Sequence, residues 1–185
     1  HTATVLSDGR IVVVGGRNEF TGEASAVEIL TVSGTTVATL QSKVSGALRS
    51  ARSNHTTTLL QDGSLLVAGG VLEGQPLASV EVLTKDQGSD TWSSVLSDPL
   101  PVAVYVHSAV RLGSGAVLIS GGDARLGALA AELPQKALVL RDASGTLTTT
   151  PAASAAQAST MQVLRRSHAS VLLPDGRLLI TGGRP

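Results

Sequence analysis

Four histidines, His1, His55, His107 and His168, are the chain's full complement of imidazoles. Each begins a stretch of the same design: "HTATVLSDGRIVVVGG", "HTTTLLQDGSLLVAGG", "HSAVRLGSGAVLISGG" and "HASVLLPDGRLLITGG". Imidazoles at repeated positions invite a metal-ligating reading. Asp8, Asp62 and Asp175 add a carboxylate to three copies, and Glu28 and Glu81 recur in matching Val-Glu contexts. The distribution argues against one shared centre. A zinc ion needs its nitrogens ~2.0–2.1 Å away, whereas equivalent positions in neighbouring sheets stand roughly 10 Å apart. The histidines therefore read as repeat-structural, hydrogen bonding to a turn or to the next unit. Each Asp precedes a Gly, which a hairpin turn explains fully, and the two glutamates read as partners for backbone N–H groups. The chain has no Cys, so thiolate metal sites and disulfides are excluded. No Gly-x-Ser-x-Gly elbow and no phosphate-binding glycine loop occurs.

The elements that position these residues follow from the repeat itself. Successive histidines are 54, 52 and 61 residues apart, and in every copy the first glycine of the pair lies 14 residues after the histidine. A fixed internal length with variable spacers marks a repeat architecture. In the second copy "HTTTLLQ" reads as a strand and Asp62-Gly63 as a two-residue hairpin turn. The return strands "RIVVV", "SLLVA", "AVLIS" and "RLLIT" are almost continuously apolar, which predicts cover on both faces. Each ends in Gly-Gly, where the backbone needs positive φ or close approach to a neighbour. A second strand pair follows: "ASAVEIL", "LASVEVL" and "QKALVL", with Leu138 in the glutamate position, and then "TTVATL", "TWSSV" and "GTLTTT". Four short strands per roughly 50 residues predict four-stranded antiparallel sheets.

Among 185 residues, 42% are hydrophobic and 15% charged, with 14 basic and 14 acidic side chains. That balance gives no reason to expect nucleic acid or an anionic membrane as partner, and no apolar run approaches the ~18 residues of a spanning helix. Asn54-His55-Thr56 fits a glycosylation acceptor but falls at a strand start and reads as chance.

The double glycines at 15–16, 69–70, 121–122 and 182–183, the leading Arg52 and Arg165, the histidines and the late Trp92 resemble the kelch repeat, in its degenerate bacterial form. Leu30, Leu83 and Leu140 stand where that family usually has Tyr. The resemblance implies an all-β, kelch-type β-propeller: blades over 1–48, 49–100 and 101–160, and a half blade over 164–183. About three and a half blades make an incomplete ring, and closing it calls for further propeller sequence from the same polypeptide or another chain. Some kelch-like propellers are copper radical oxidases, but those need a Cys crosslinked to a Tyr, and this chain offers only Tyr105.

Function then falls to the variable loops after each Gly-Gly, on a constant frame. The candidate partner-binding residues are Arg17, Asn18, Glu19, Glu73, Gln75, Asp123, Arg125 and Arg184. Residues 148–164 read as an irregular Ala/Ser/Thr-rich connection. The expectation is a non-catalytic binding or structural module, bacterial and surface-exposed or secreted, holding a protein or glycan partner without a cofactor or metal. The alternatives are the scaffold part of a larger enzyme and a self-assembling element.

Overall fold

The computed structural model describes residues 1–33, 39–124, 136–141, 147–151, 161, 163 and 165–185. They form only β-structure, in sixteen strands. The first unit holds β1 (Thr2–Val5), β2 (Ile11–Asn18), β3 (Gly22–Ser33) and β4 (Thr39–Ala47). The second holds β5 (Thr56–Leu59), β6 (Leu65–Ala68), the short pair β7 (Val71–Leu72) and β8 (Gln75–Pro76), then β9 (Val80–Lys85) and β10 (Trp92–Ser97). The third holds β11 (Ser108–Arg111), β12 (Val117–Ser120), β13 (Lys136–Arg141) and β14 (Leu147–Pro151), and the fourth β15 (Arg166–Leu172) and β16 (Leu178–Arg184).

The expected propeller of separate four-stranded blades is not the architecture. The long strands of the first two units form one mixed eight-stranded sheet, ordered β1-β2-β3-β4-β10-β9-β6-β5. Its halves join through a parallel pairing of β4 and β10 at Gly46 and Trp92. A Cβ on Gly46 would lie 2.3 Å from the Trp92 carbonyl oxygen, so the bare glycine backbone is what admits the partner strand. The end strands β1 and β5 come back alongside each other, with Thr2 Oγ1 2.7 Å from Thr57 Oγ1. The sheet is thus a nearly closed, barrel-like body. It encloses Val12, Val14, Val27, Ile29, Leu48, Leu65, Val67, Leu83 and Trp92.

The third unit is a separate antiparallel sheet, β11-β12-β13-β14, and β15-β16 is a two-stranded sheet beside it. A second core joins the third unit to the second: Leu60, Leu66, Ala68, Val80, Leu100, Val104, Val117 and Ile119. Strand β6 therefore sends Leu65 and Val67 into one core and Leu66 and Ala68 into the other. That matches the two-sided cover expected of a continuously apolar strand. Strand β2 instead alternates buried and half-buried residues, and β16 is largely open, with Leu179 48% exposed.

The Asp-Gly turns differ from the expected two-residue hairpin. Leu6 N–H donates to Arg10 O, and Gly9 N–H donates to Leu6 O, while only Gly9, at φ 83°, is left-handed. This is a three-residue loop closed by a glycine bulge. Asp8 accepts from Arg10 N–H at 3.1 Å, as Asp62 does from Ser64 and Asp175 from Arg177. A further correction concerns the third unit. Val13 pairs with Glu28 and Val67 with Glu81, but the equivalent Ile119 pairs with Ala137, one residue before the expected Leu138. The fourth run expected at "TTVATL" is observed as β4, from Thr39, and residues 34–38 lie outside the described residues.

Candidate functional site

The recurrent chemistry is concentrated in three equivalent joints. Each first glycine is left-handed, with φ 56°, 60° and 61° at Gly15, Gly69 and Gly121. A Cβ there would meet the ring of the next unit's histidine: His55 Cε1 at 2.9 Å, His107 Cε1 at 2.8 Å and His168 Cε1 at 2.6 Å. Each second glycine donates its N–H to the carbonyl three residues before that histidine: Gly16 to Arg52 (2.8 Å), Gly70 to Val104 (2.8 Å) and Gly122 to Arg165 (3.0 Å). Hydrogen bonds link His55 Nε2 to Thr2 Oγ1 (3.1 Å), His107 Nε2 to Thr56 Oγ1 (2.8 Å) and His168 Nε2 to Ser120 Oγ (3.3 Å). So the glycine pair needs both of the properties expected of it, and the histidines bond to the neighbouring unit.

The residue before each of these histidines, Asn54, Val106 or Ser167, is also left-handed, with φ 53°, 49° and 53°. Their backbones are linked in series, Val106 N–H to Asn54 O and Ser167 N–H to Val106 O. These bonds tie the three joints to one another. The imidazoles are poor proton carriers in this setting. His55 and His107 are only 5% and 6% exposed. Burial, reinforced by the nearby Arg52 charge, pushes His55 down to about 3. Burial, with His168 nearby, pushes His107 down to about 4. Burial lowers His168 as well. His55 and His107, so far below neutrality, stay uncharged and cannot shuttle protons near pH 7.

Arg52 and Glu81 form a fully buried ion pair at 2.5 Å. Glu81 also accepts from Arg49 N–H (2.7 Å), Ser50 N–H (3.1 Å) and the Ser94 hydroxyl. Arg52 donates further to the carbonyls of Gly69 (2.9 Å) and Ser79 (3.1 Å). Every polar atom of the pair is thereby directed at a structural partner, the condition under which buried charge is tolerated.

The expected loop residues lie at the glycine-pair ends of the strands. Arg17, Asn18 and Glu19 sit on the β2–β3 hairpin and are exposed. Glu73 and Gln75 are exposed on the β7–β8 hairpin. The two hairpins meet through Glu23, a residue the sequence did not single out. Its carboxylate lies 3.6 Å from Arg17 Nε and accepts from Glu73 N–H at 3.3 Å. Asp123 serves a different purpose. It is half-buried, accepts from the Tyr105 hydroxyl at 3.1 Å, and pairs with Arg166. Arg184 lies opposite Arg166 in the β15–β16 register. Arg125 and most of residues 148–164 fall outside the described residues.

The second overlooked residue is Phe20. It is the chain's one phenylalanine, and it stands at the tip of the β2–β3 hairpin with 88% of its surface exposed. Its N–H donates to Asn18 Oδ1 at 2.8 Å, and Gly22, at φ 80°, opens β3 opposite Asn18 directly after the three-residue turn. In a chain with one Phe, one Tyr and one Trp, a lone aromatic in a polar turn was the available signal.

At the opposite strand ends lies a cleft of about 630 Å3, lined by Leu6 to Asp8, Leu59 to Ser64, Thr84 to Gly88, Trp92 and Arg111. Three of the lining residues are carboxylates, Asp8, Asp62 and Asp86, and Asp8 is held by an arginine outside the lining. Arg10 bridges Asp8 (2.7 Å) and Asp90 (2.5 Å), and its hydrogen bonds hold both below the ordinary carboxylate range. An acid–base catalyst needs a group poised near the working pH, and Asp8 is moved away from it. Among the described residues no cluster of three His, Asp or Glu side chains could hold a metal ion, and no helix is long and apolar enough to cross a membrane. No protein-family model and no curated protein matches the chain.

Proposed function

We propose that this chain is a non-catalytic binding module that engages a protein or glycan partner through the β2–β3 hairpin tip. The observation that carries this reading is the near-complete exposure of Phe20 among Arg17, Asn18 and Glu19. A solitary aromatic on a protruding turn contributes nothing to either core and is the residue type that anchors interfaces. The supporting argument is the fate of the other chemistry-bearing residues: His55, His107 and His168 are committed to joints between units, and Arg52 and Glu81 to a buried pair inside the second unit. The Arg17–Glu23–Glu73 contact braces the Phe20 hairpin against its neighbour, which limits the ordering cost of binding. We place the module at the bacterial surface or in secretion, on the strength of the repeat resemblance.

The test is a paired measurement on the 185-residue chain and its Phe20→Ser variant. Binding is scored on a glycan array and against biotinylated cell-surface proteins. A hot-spot aromatic is worth about 2 kcal/mol or more, so affinity falls about 30-fold, whereas the stability of an exposed position stays within about 0.5 kcal/mol. Retention of full affinity by Phe20→Ser overturns the assignment.

A further inference from the structure

We infer that the outer edge of β16 is an acceptor for one added antiparallel strand carrying a glutamate opposite Ile180. The first three units show what belongs there. Their return strands β2, β6 and β12 each carry a third strand on the edge away from the first: β3, β9 and β13. Strand β16 pairs with β15 alone among the described residues, so its far edge offers unpaired backbone N–H and C=O groups, a template for strand addition.

Arg165 specifies the chemistry of the occupant. It stands three residues before His168, as Arg52 stands before His55. Its Nη1 donates to Gly182 O at 3.0 Å, as Arg52 Nη1 donates to Gly69 O at 2.9 Å. Arg52 then finds Glu81, borne by β9 directly opposite Val67. Val67 and Ile180 are equivalent, each 12 residues after its histidine. Arg165 has no such carboxylate among the described residues, and its Nε is buried without a hydrogen-bond partner there. The third unit supplies the contrast. Its leading residue is Val104, and the residue opposite Ile119 is the uncharged Ala137. Arginine before the histidine thus goes with glutamate on the third strand, and valine goes without it. The occupant is therefore an extended peptide segment of the β9 kind, Val-Glu-Val/Ile in pattern, with its carboxylate meeting the Arg165 guanidinium. This site is separate from the Phe20 hairpin.

The experiment uses the 185-residue chain with a synthetic nine-residue peptide of the Leu77–Lys85 sequence, LASVEVLTK, labelled for anisotropy. Three comparisons are read: the peptide with its glutamate replaced by glutamine, the same residues in scrambled order, and the chain bearing Arg165→Met. Support is saturable binding of the native peptide, at least 10-fold weaker binding of the glutamine peptide, loss of that difference in Arg165→Met, and new amide-exchange protection over residues 178–184. Should Arg165→Met fail to fold, the glutamate–glutamine comparison on the unaltered chain decides. Equal binding of both peptides overturns the carboxylate recognition. Binding of the scrambled peptide as tightly as the native one, protection elsewhere, or no binding at millimolar peptide overturns the acceptor edge itself.

Discussion

Lowering the pH from 7 to 5 tests the buried histidine joints directly. In the unfolded chain an imidazole takes up its proton near its ordinary 6.5. In the folded chain His55 does so at about 3 and His107 at about 4, because burial disfavours the charged ring. Between those values and 6.5 the unfolded state binds more protons, so folding stability is full above 6.5 and falls as pH drops through the window. Each histidine contributes a slope of about 1.4 kcal/mol per pH unit once the unfolded ring is protonated. Integrated from pH 7 to 5, the loss is about 2 kcal/mol per histidine and about 4 for the two, a large part of an ordinary domain's stability. The depressed carboxylates act elsewhere. Asp8, Asp90 and Asp175 have folded values below 3.8, so their contribution is intact at pH 5 and is lost only as pH falls past that value. Urea unfolding followed by Trp92 fluorescence at pH 7, 6 and 5 reads the effect, since Trp92 is the one tryptophan and is 3% exposed. A stability that is flat across this range refutes the reasoning, as would ring resonances of His55 and His107 titrating near 6.5.

Four substitutions, one of them extended to a double variant, probe the same architecture. Gly69→Ala places a methyl 2.5 Å from Val104 O and 2.8 Å from His107 Cε1 at a left-handed residue, so it costs about 3 kcal/mol or more in urea unfolding. Gly63→Ala, left-handed with open space around it, costs only about 1–2 kcal/mol. Glu81→Gln leaves the Arg52 charge buried without its counter-ion and destabilises by about 3–5 kcal/mol; adding Arg52→Met recovers part of that loss, a coupling that a double-mutant cycle measures. Val106→Asn relieves a β-branched residue at φ 49° by installing what Asn54 already is at the equivalent joint, and raises Tm by about 2–4 °C for about 1 kcal/mol.

What could be read from the residues was the repeated unit, because its signals are local. Strand-forming runs, the Asp-Gly turns and the interval of 14 residues from histidine to glycine are each contained in one copy. Their finer geometry was less visible. Asp-Gly serves a two-residue turn and a three-residue bulged loop equally well, and the Leu6–Arg10 hydrogen bond decides between them. A one-residue slip separates Ala137 from Leu138 in "QKALVL", and only pairing with Ile119 fixes it. The histidine–glycine joint was half legible: the spacing showed that two groups recur together, but not that His55, His107 and His168 each close on the glycine of the unit before.

The global arrangement was missed because it turns on contacts between distant residues. Four runs per unit imply four strands, but nothing in a local pattern says whether the fourth strand ends its sheet or joins the next. Here Gly46 decides. Without a side chain there, the β4 backbone reaches that of Trp92, 46 residues later, and two four-stranded sets become one. A single glycine outside the repeated signature thus outweighs the signature itself. Among the described residues the third unit has no such pairing, and its sheet stays separate. Repetition therefore fixes the parts and their nearest-neighbour joints, while the unrepeated Gly46 determines how the first two of them combine.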